Sequence, residues 1–117
     1  MTRDLRMNGG RRRYERVMGP FGGRHLGARK THVSVYHLNL GGAFVHFSDA
    51  PPEEATWLLK IKLPVEGPIT VRAETLYHDA GGIAVRFVDV DETSAIRLMR
   101  TVAALTPTPA QSHASAP

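Results

Sequence analysis

His32-Val33-Ser34-Val35-Tyr36-His37 alternates apolar and polar side chains, Leu38-Asn39-Leu40-Gly41-Gly42 interrupts the alternation, and Ala43-Phe44-Val45-His46-Phe47-Ser48 resumes it. Successive side chains of a strand point to opposite faces, so a period of two marks a strand buried on one side only. Two such runs around a short glycine break predict a β-hairpin. Gly41 and Gly42 are expected to supply the positive φ that a tight turn between strands requires.

The same rhythm continues towards the C-terminus. Leu59-Lys60-Ile61-Lys62-Leu63 sets apolar side chains against lysines, and Pro64 to Pro68 turns the chain. Ile69 to Tyr77 is a longer strand, Asp79-Ala80-Gly81-Gly82 turns again, and Ile83-Ala84-Val85-Arg86-Phe87-Val88 follows. Five or so strands at spacings of about ten residues, separated by glycine and proline turns, predict an antiparallel sheet closed into a small barrel. After Val88 the period lengthens. Asp89 or Asp91 can cap a helix whose apolar face is Ala95, Leu98, Met99, Val102 and Leu105, with Arg97 and Arg100 on the polar side. This helix is expected to cover one opening or face of the barrel. Residues 1–30, rich in Arg and Gly, predict an arm and loops with one short strand near Arg16-Val17-Met18. The Pro-, Ala- and Ser-rich residues 106–117 are expected to be disordered.

Charge is distributed unevenly. Residues 1–32 hold nine basic side chains, eight of them Arg, against two acidic ones, a net +7; residues 33–117 hold six basic and nine acidic ones, a net −3. The positive potential of the leader would attract an anionic partner, and Arg is suited to planar, bidentate contact with phosphate or a guanine edge. The 117 residues fit one domain with a small core. The chain has no cysteine, which excludes disulfides and thiolate metal sites and makes a reducing, cytoplasmic compartment the expected home. No apolar run approaches a membrane span, and the arginines of the N-terminus precede no secretory apolar core.

Catalysis finds little support. The six histidines are scattered without the spacing of a helical zinc site, and no nucleophile elbow, P-loop or dinucleotide-binding glycine fingerprint is present. Neither an enzyme nor a metal or cofactor site is expected. A nucleic-acid-binding barrel would need exposed aromatics for base stacking, whereas Phe44, Phe47 and Phe87 read as core, so nucleic acid is not the expected partner.

Arg12 and Arg16 stand four residues apart ahead of the strand region, and the polar turn at 37–42 follows about twenty residues later. In this order the motifs resemble those of the PilZ domain family, bacterial receptors for the second messenger cyclic-di-GMP. The family pattern is Arg-x-x-x-Arg, then Asp/Asn-x-Ser-x-x-Gly, then a glycine-rich turn into a Val-x-Phe strand and a helix. Arg12 and Arg16 match the first motif, Gly42 the last place of the second, and Gly81-Gly82-Ile83-Ala84-Val85-Arg86-Phe87 the closing strand. The Asp/Asn position holds His37 and the Ser position holds Asn39.

The resemblance implies a mainly β fold, a six-stranded antiparallel β-barrel with one C-terminal α-helix. It implies a flexible arm over 1–10, the barrel domain over 11–105 and the tail over 106–117. It further implies a non-enzymatic cyclic-di-GMP receptor in which the arginine-rich leader closes over the barrel face. Arg12 and Arg16 would grip the ligand, His37, Asn39 and Gly42 would form the facing turn, and Arg11 or Arg13 would assist. The signal would pass to a downstream protein. The alternative is a degenerate PilZ domain that binds no nucleotide and serves as a protein-interaction adaptor, which the two substitutions in the second motif favour.

Overall fold

The computed structural model describes residues 16–27 and 30–106; the arm over 1–10, the leader residues Arg11, Arg12 and Arg13 and the tail beyond Thr106 lie outside the described residues. Six strands form among the described residues: β1 (Phe21–Leu26), β2 (Lys30–Tyr36), β3 (Gly42–Phe47), β4 (Thr56–Leu63), β5 (Gly67–Asp79) and β6 (Gly82–Val88). Every neighbouring pair is antiparallel. Their order is β1-β2-β3-β6-β5-β4, and β4 pairs back onto β1, so the sheet closes. Closure removes the free edges that an open sheet of this size would expose.

The alternation read from the sequence sets the inward face. Val33 and Val35 of β2, Val45 and Phe47 of β3, Leu59, Ile61 and Leu63 of β4, Ile69, Val71 and Ala73 of β5, and Ile83, Val85 and Phe87 of β6 are all buried. Each large aliphatic side chain removed from water contributes about 1.5–3 kcal/mol before the entropy of ordering the chain is subtracted. Trp57 is buried, with its ring edge-on to Phe47 at 5.6 Å and to His25 at 5.2 Å. Its indole N–H donates to Thr75 Oγ1 over 3.0 Å.

Three sequence expectations change. Residues 21–26, read as loop, form β1, whose inward positions are Phe21, Gly23 and His25. Only one of those three side chains is large and apolar, so the hydrophobic period that reveals a strand is missing there. The segment at 16–18 does pair, through a single bridge at Val17 rather than as a strand. Phe44, read as core, is half-buried, because alternation about the buried Val45 turns it to the outer face.

The C-terminal helix, α1 (Glu92–Leu105), packs against β4 and β5. Asp91 caps it: its carboxylate accepts from the backbone N–H of Ser94 at 3.0 Å. Hydrogen bonds from Ser94 hold the Asp91 carboxyl below its ordinary value of 3.8, so this cap is complete at neutral pH and is lost only as pH falls through that lowered value. The buried stripe is Ser94, Leu98, Thr101 and Val102, whereas Met99 and Leu105 are about half exposed. The stripe accommodates two polar residues because both are satisfied by the helix and its cap. The Ser94 side chain, like its N–H, bonds to the Asp91 carboxylate at the cap, and the Thr101 hydroxyl donates to Arg97 O at 2.9 Å.

Candidate functional site

A two-residue zip fixes the end of the leader against the turn. Val17 N–H donates to Leu38 O and Leu38 N–H to Val17 O, both at 2.8 Å, and His37 N–H donates to Met18 O at 3.1 Å. Val17 and Leu38 are buried, which anchors the zip in the core. The exposed Arg16 side chain is thereby held beside the 37–42 turn, although more than twenty residues of chain separate them.

The turn owes its shape to His37 and Asn39. His37 has φ of 53°, so the left-handed residue is a histidine; Gly41 and Gly42, expected to supply positive φ, do not. Among residues with a side chain, Asn, Asp and His enter this region most readily, so histidine is among the few that accept the backbone conformation found here. The side chain of His37 is free to face solvent, and the residue is exposed. Asn39 Oδ1 accepts from the N–H of Gly41 at 2.7 Å and of Gly42 at 2.8 Å, while its own N–H donates to Gly42 O at 3.0 Å. Two backbone donors on one oxygen settle which way the amide faces. The acceptor of Asn39 is therefore spent on the turn, and only its Nδ2 donors remain for a ligand.

Gly42 serves a close approach. A Cβ at this position would lie 2.2 Å from Val85 O on β6, a distance no side chain can occupy. Gly42 pairs with Arg86, which pairs in turn with Glu74 of β5, so these three residues form one row across the outer face. The neighbouring row is Phe44, Ala84 and Tyr77. With no side chain on Gly42, the surface beside Arg86 stays open.

These elements enclose a surface cavity of about 480 Å³. Arg16, His37, Asn39 and Gly42 line it, together with Phe44, Leu76, Tyr77 and Arg86. Its size falls in the range of roughly 300–1,000 Å³ common to small-molecule sites. Leu76 and Tyr77 are more than half exposed there, beside a β-bulge between Thr75 and Tyr77 that re-aims this part of β5. Arg86 donates through Nε to Glu74 Oε1 at 3.0 Å and through Nη2 to the same oxygen. A second, larger cavity of about 580 Å³ lies at the β3–β4 loop. Glu53 and Glu54 line it with no Arg or Lys, so an anionic ligand would favour the first.

Of the residues singled out from the sequence, the structure brings Arg16, His37, Asn39 and Gly42 to one cavity, while Arg11, Arg12 and Arg13 lie outside the described residues. Sequence reasoning missed Arg86 and Tyr77 as cavity residues. Alternation about Val85 and Phe87 was enough to turn Arg86 outward, but only the pairing of β6 with both β3 and β5 sets it beside the turn. The described histidines have separate surroundings: His25 sits against Trp57, His32 accepts from Arg24, His46 contacts Gly81 O and His78 lines the second cavity.

A closed six-stranded antiparallel barrel with a helix after its last strand and an arginine-lined cavity on its outer wall defines a small class of β-domain. The solved structures it resembles are PilZ domains, and this chain has a PilZ-like fold. It superposes on the PilZ domain with c-di-GMP of YcgR from Escherichia coli with a TM-score of 0.63 and 20% identity, covering 91% of this chain and 97% of that one. YcgR in complex with c-di-GMP from the same organism gives 0.64 and 19%, covering 91% and 49%. The Bacillus subtilis inhibitor of motility, MotI/DgrA, gives 0.64 and 16%, covering 81% and 49%. The chain thus spans about half the length of the latter two structures. No family model and no curated protein matches the sequence. Among the described residues no helix is long and apolar enough to cross a membrane.

Proposed function

We propose that this protein is a non-enzymatic receptor for cyclic-di-GMP. The observation that carries the reading is the zip between Val17 and Leu38, which sets Arg16 at the cavity formed by His37, Asn39 and Gly42. A cyclic dinucleotide presents two phosphates and two guanines. Arg16 supplies a fork for phosphate or for guanine O6 and N7, Asn39 supplies Nδ2 donors, and Tyr77 offers an exposed ring for stacking. Arg12, four residues upstream of Arg16, grips from the leader, with Arg11 and Arg13 as auxiliary contacts. Because Arg16 is already anchored, closure involves the chain ahead of it, and the ordering of that leader over the barrel is the signal read by a downstream protein. Two of the solved structures it superposes on hold c-di-GMP, which agrees with this reading.

The test is a calorimetric titration of cyclic-di-GMP into the protein. Saturable binding at micromolar concentrations is the expected result; no heat and no displacement of a labelled analogue would leave the adaptor reading. The loss of a carboxylate or amide acceptor at His37 is the observation on that side. Replacing His37 with Asn restores an acceptor for guanine N–H groups and suits φ of 53°. His37→Asn is therefore expected to tighten cyclic-di-GMP binding by about 5- to 150-fold, the worth of one good base contact. An unchanged dissociation constant in the same titration would remove His37 from the ligand site.

A further inference from the structure

Arg86 and Glu74 are cross-strand partners on the outer face, and the geometry of their contact leaves a defined set of groups unused. Arg86 Nε and Nη2 both converge on Glu74 Oε1. That leaves Glu74 Oε2 as an acceptor, and Arg86 Nη1 with the second Nη2 hydrogen as donors; Arg86 lines the cavity and Glu74 stands next to it in the row. The pair is not sealed away: 59% of the Arg86 side chain and 34% of the Glu74 side chain are accessible. The row beside it carries Phe44 and Tyr77, apolar surface on which a base can lie.

We propose that Glu74 and Arg86 act together as a reader of guanine, with Arg86 donating to O6 and Glu74 accepting from N1–H and the exocyclic amine. The inference rests on the receptor reading and adds a base-specific contact to it. Guanine presents an acceptor beside two donors along its Watson–Crick edge, and an Arg–Glu pair presents a donor beside an acceptor in the matching order. Adenine presents a donor beside an acceptor at the corresponding atoms, so the same pair would set donor against donor and acceptor against acceptor. Buried or half-buried polar groups left mismatched in this way are a strong source of discrimination. Glu74 thereby provides the carboxylate that the 37–42 turn lacks. The ion pair also fixes the Arg86 guanidinium in advance, so less side-chain freedom is lost on binding.

The experiment compares cyclic-di-GMP, cyclic-di-AMP and the inosine analogue, which lacks the exocyclic amine, on the parent chain and on Glu74→Gln. The parent is expected to prefer cyclic-di-GMP over cyclic-di-AMP by about tenfold or more, with the inosine analogue between them. Glu74→Gln keeps the size of the side chain and can still accept from Arg86, but turns its second polar atom into a donor. It is expected to weaken cyclic-di-GMP by about tenfold or more while leaving cyclic-di-AMP within about twofold. Equal losses for the guanine and adenine ligands, or no loss, would overturn the proposal while the receptor reading stands. A parent chain that binds none of the three ligands would overturn both. Melting temperatures of the two proteins report whether the exchange has altered the fold.

Discussion

An Arg12→Ala/Arg16→Ala double variant is expected to bind cyclic-di-GMP about two to four decades more weakly than the parent chain. Each charge-assisted contact is worth roughly 1.5–3 kcal/mol, and every 1.4 kcal/mol is tenfold. Arg16 is exposed and its side chain makes no hydrogen bond or ion pair among the described residues, so the fold should not register its removal. An exposed substitution of this kind typically changes stability by less than about 0.5 kcal/mol. The melting temperature should therefore stay nearly constant while the binding heat disappears. The anchoring zip uses the backbones of Val17 and Leu38, with both side chains buried, and the variant touches neither residue. Arg16→Ala alone separates the two contributions. If it abolished binding as completely as the double variant does, Arg12 would have no part in the site. Undiminished affinity in the double variant would show that the ligand, if bound, lies elsewhere on the barrel.

Much of this architecture was legible because strands announce themselves through alternation. Val33 and Val35, Leu59, Ile61 and Leu63, and Ile83, Val85 and Phe87 mark the inward faces of β2, β4 and β6 by their period alone. β1 was hidden because Gly22 and Gly23 occupy two of its central positions and carry no hydrophobic signal. The helix was placed correctly, but Ser94 and Thr101 pack inward where Met99 and Leu105 were expected to help. Internal hydrogen bonding had removed the cost of burying those two polar residues, and a hydrophobicity pattern does not record that. At the candidate site, local residues were readable and long-range neighbours were not. His37, Asn39 and Gly42 lie in one turn, whereas Arg86 and Tyr77 join them only through register, which a single sequence does not encode in any short window.

Register also explains why the second large effect falls at a position that carries no functional group. Gly82→Ala is expected to destabilise the barrel by at least the upper end of the roughly 1–3 kcal/mol typical of overpacking, with a melting temperature lower by more than about 10 °C. A Cβ on Gly82 would lie 2.2 Å from Val45 O, 2.9 Å from Val45 C and 3.0 Å from His46 Cα, all backbone atoms of β3. Those atoms have little freedom to retreat, because Val45 is paired on one side with Val35 and on the other with Ile83. The added methyl must therefore separate β3 from β6. The adjacent Gly81 is the control: its Cβ would meet only the Phe44 ring, at an ordinary 3.9 Å. Gly81→Ala should leave stability within about 0.5 kcal/mol, or raise it slightly by restricting the unfolded chain. Thermal melts of the two variants decide the matter, and equal melting temperatures would mean that the β3–β6 approach is looser than described. The same seam carries the pairing of Gly42 with Arg86, so a loss confined to Gly82→Ala should spread to the cavity. Ligand affinity would then fall in a protein whose Arg16, His37, Asn39 and Arg86 are all intact, because the distance between β3 and β6 sets where the turn stands relative to Arg86.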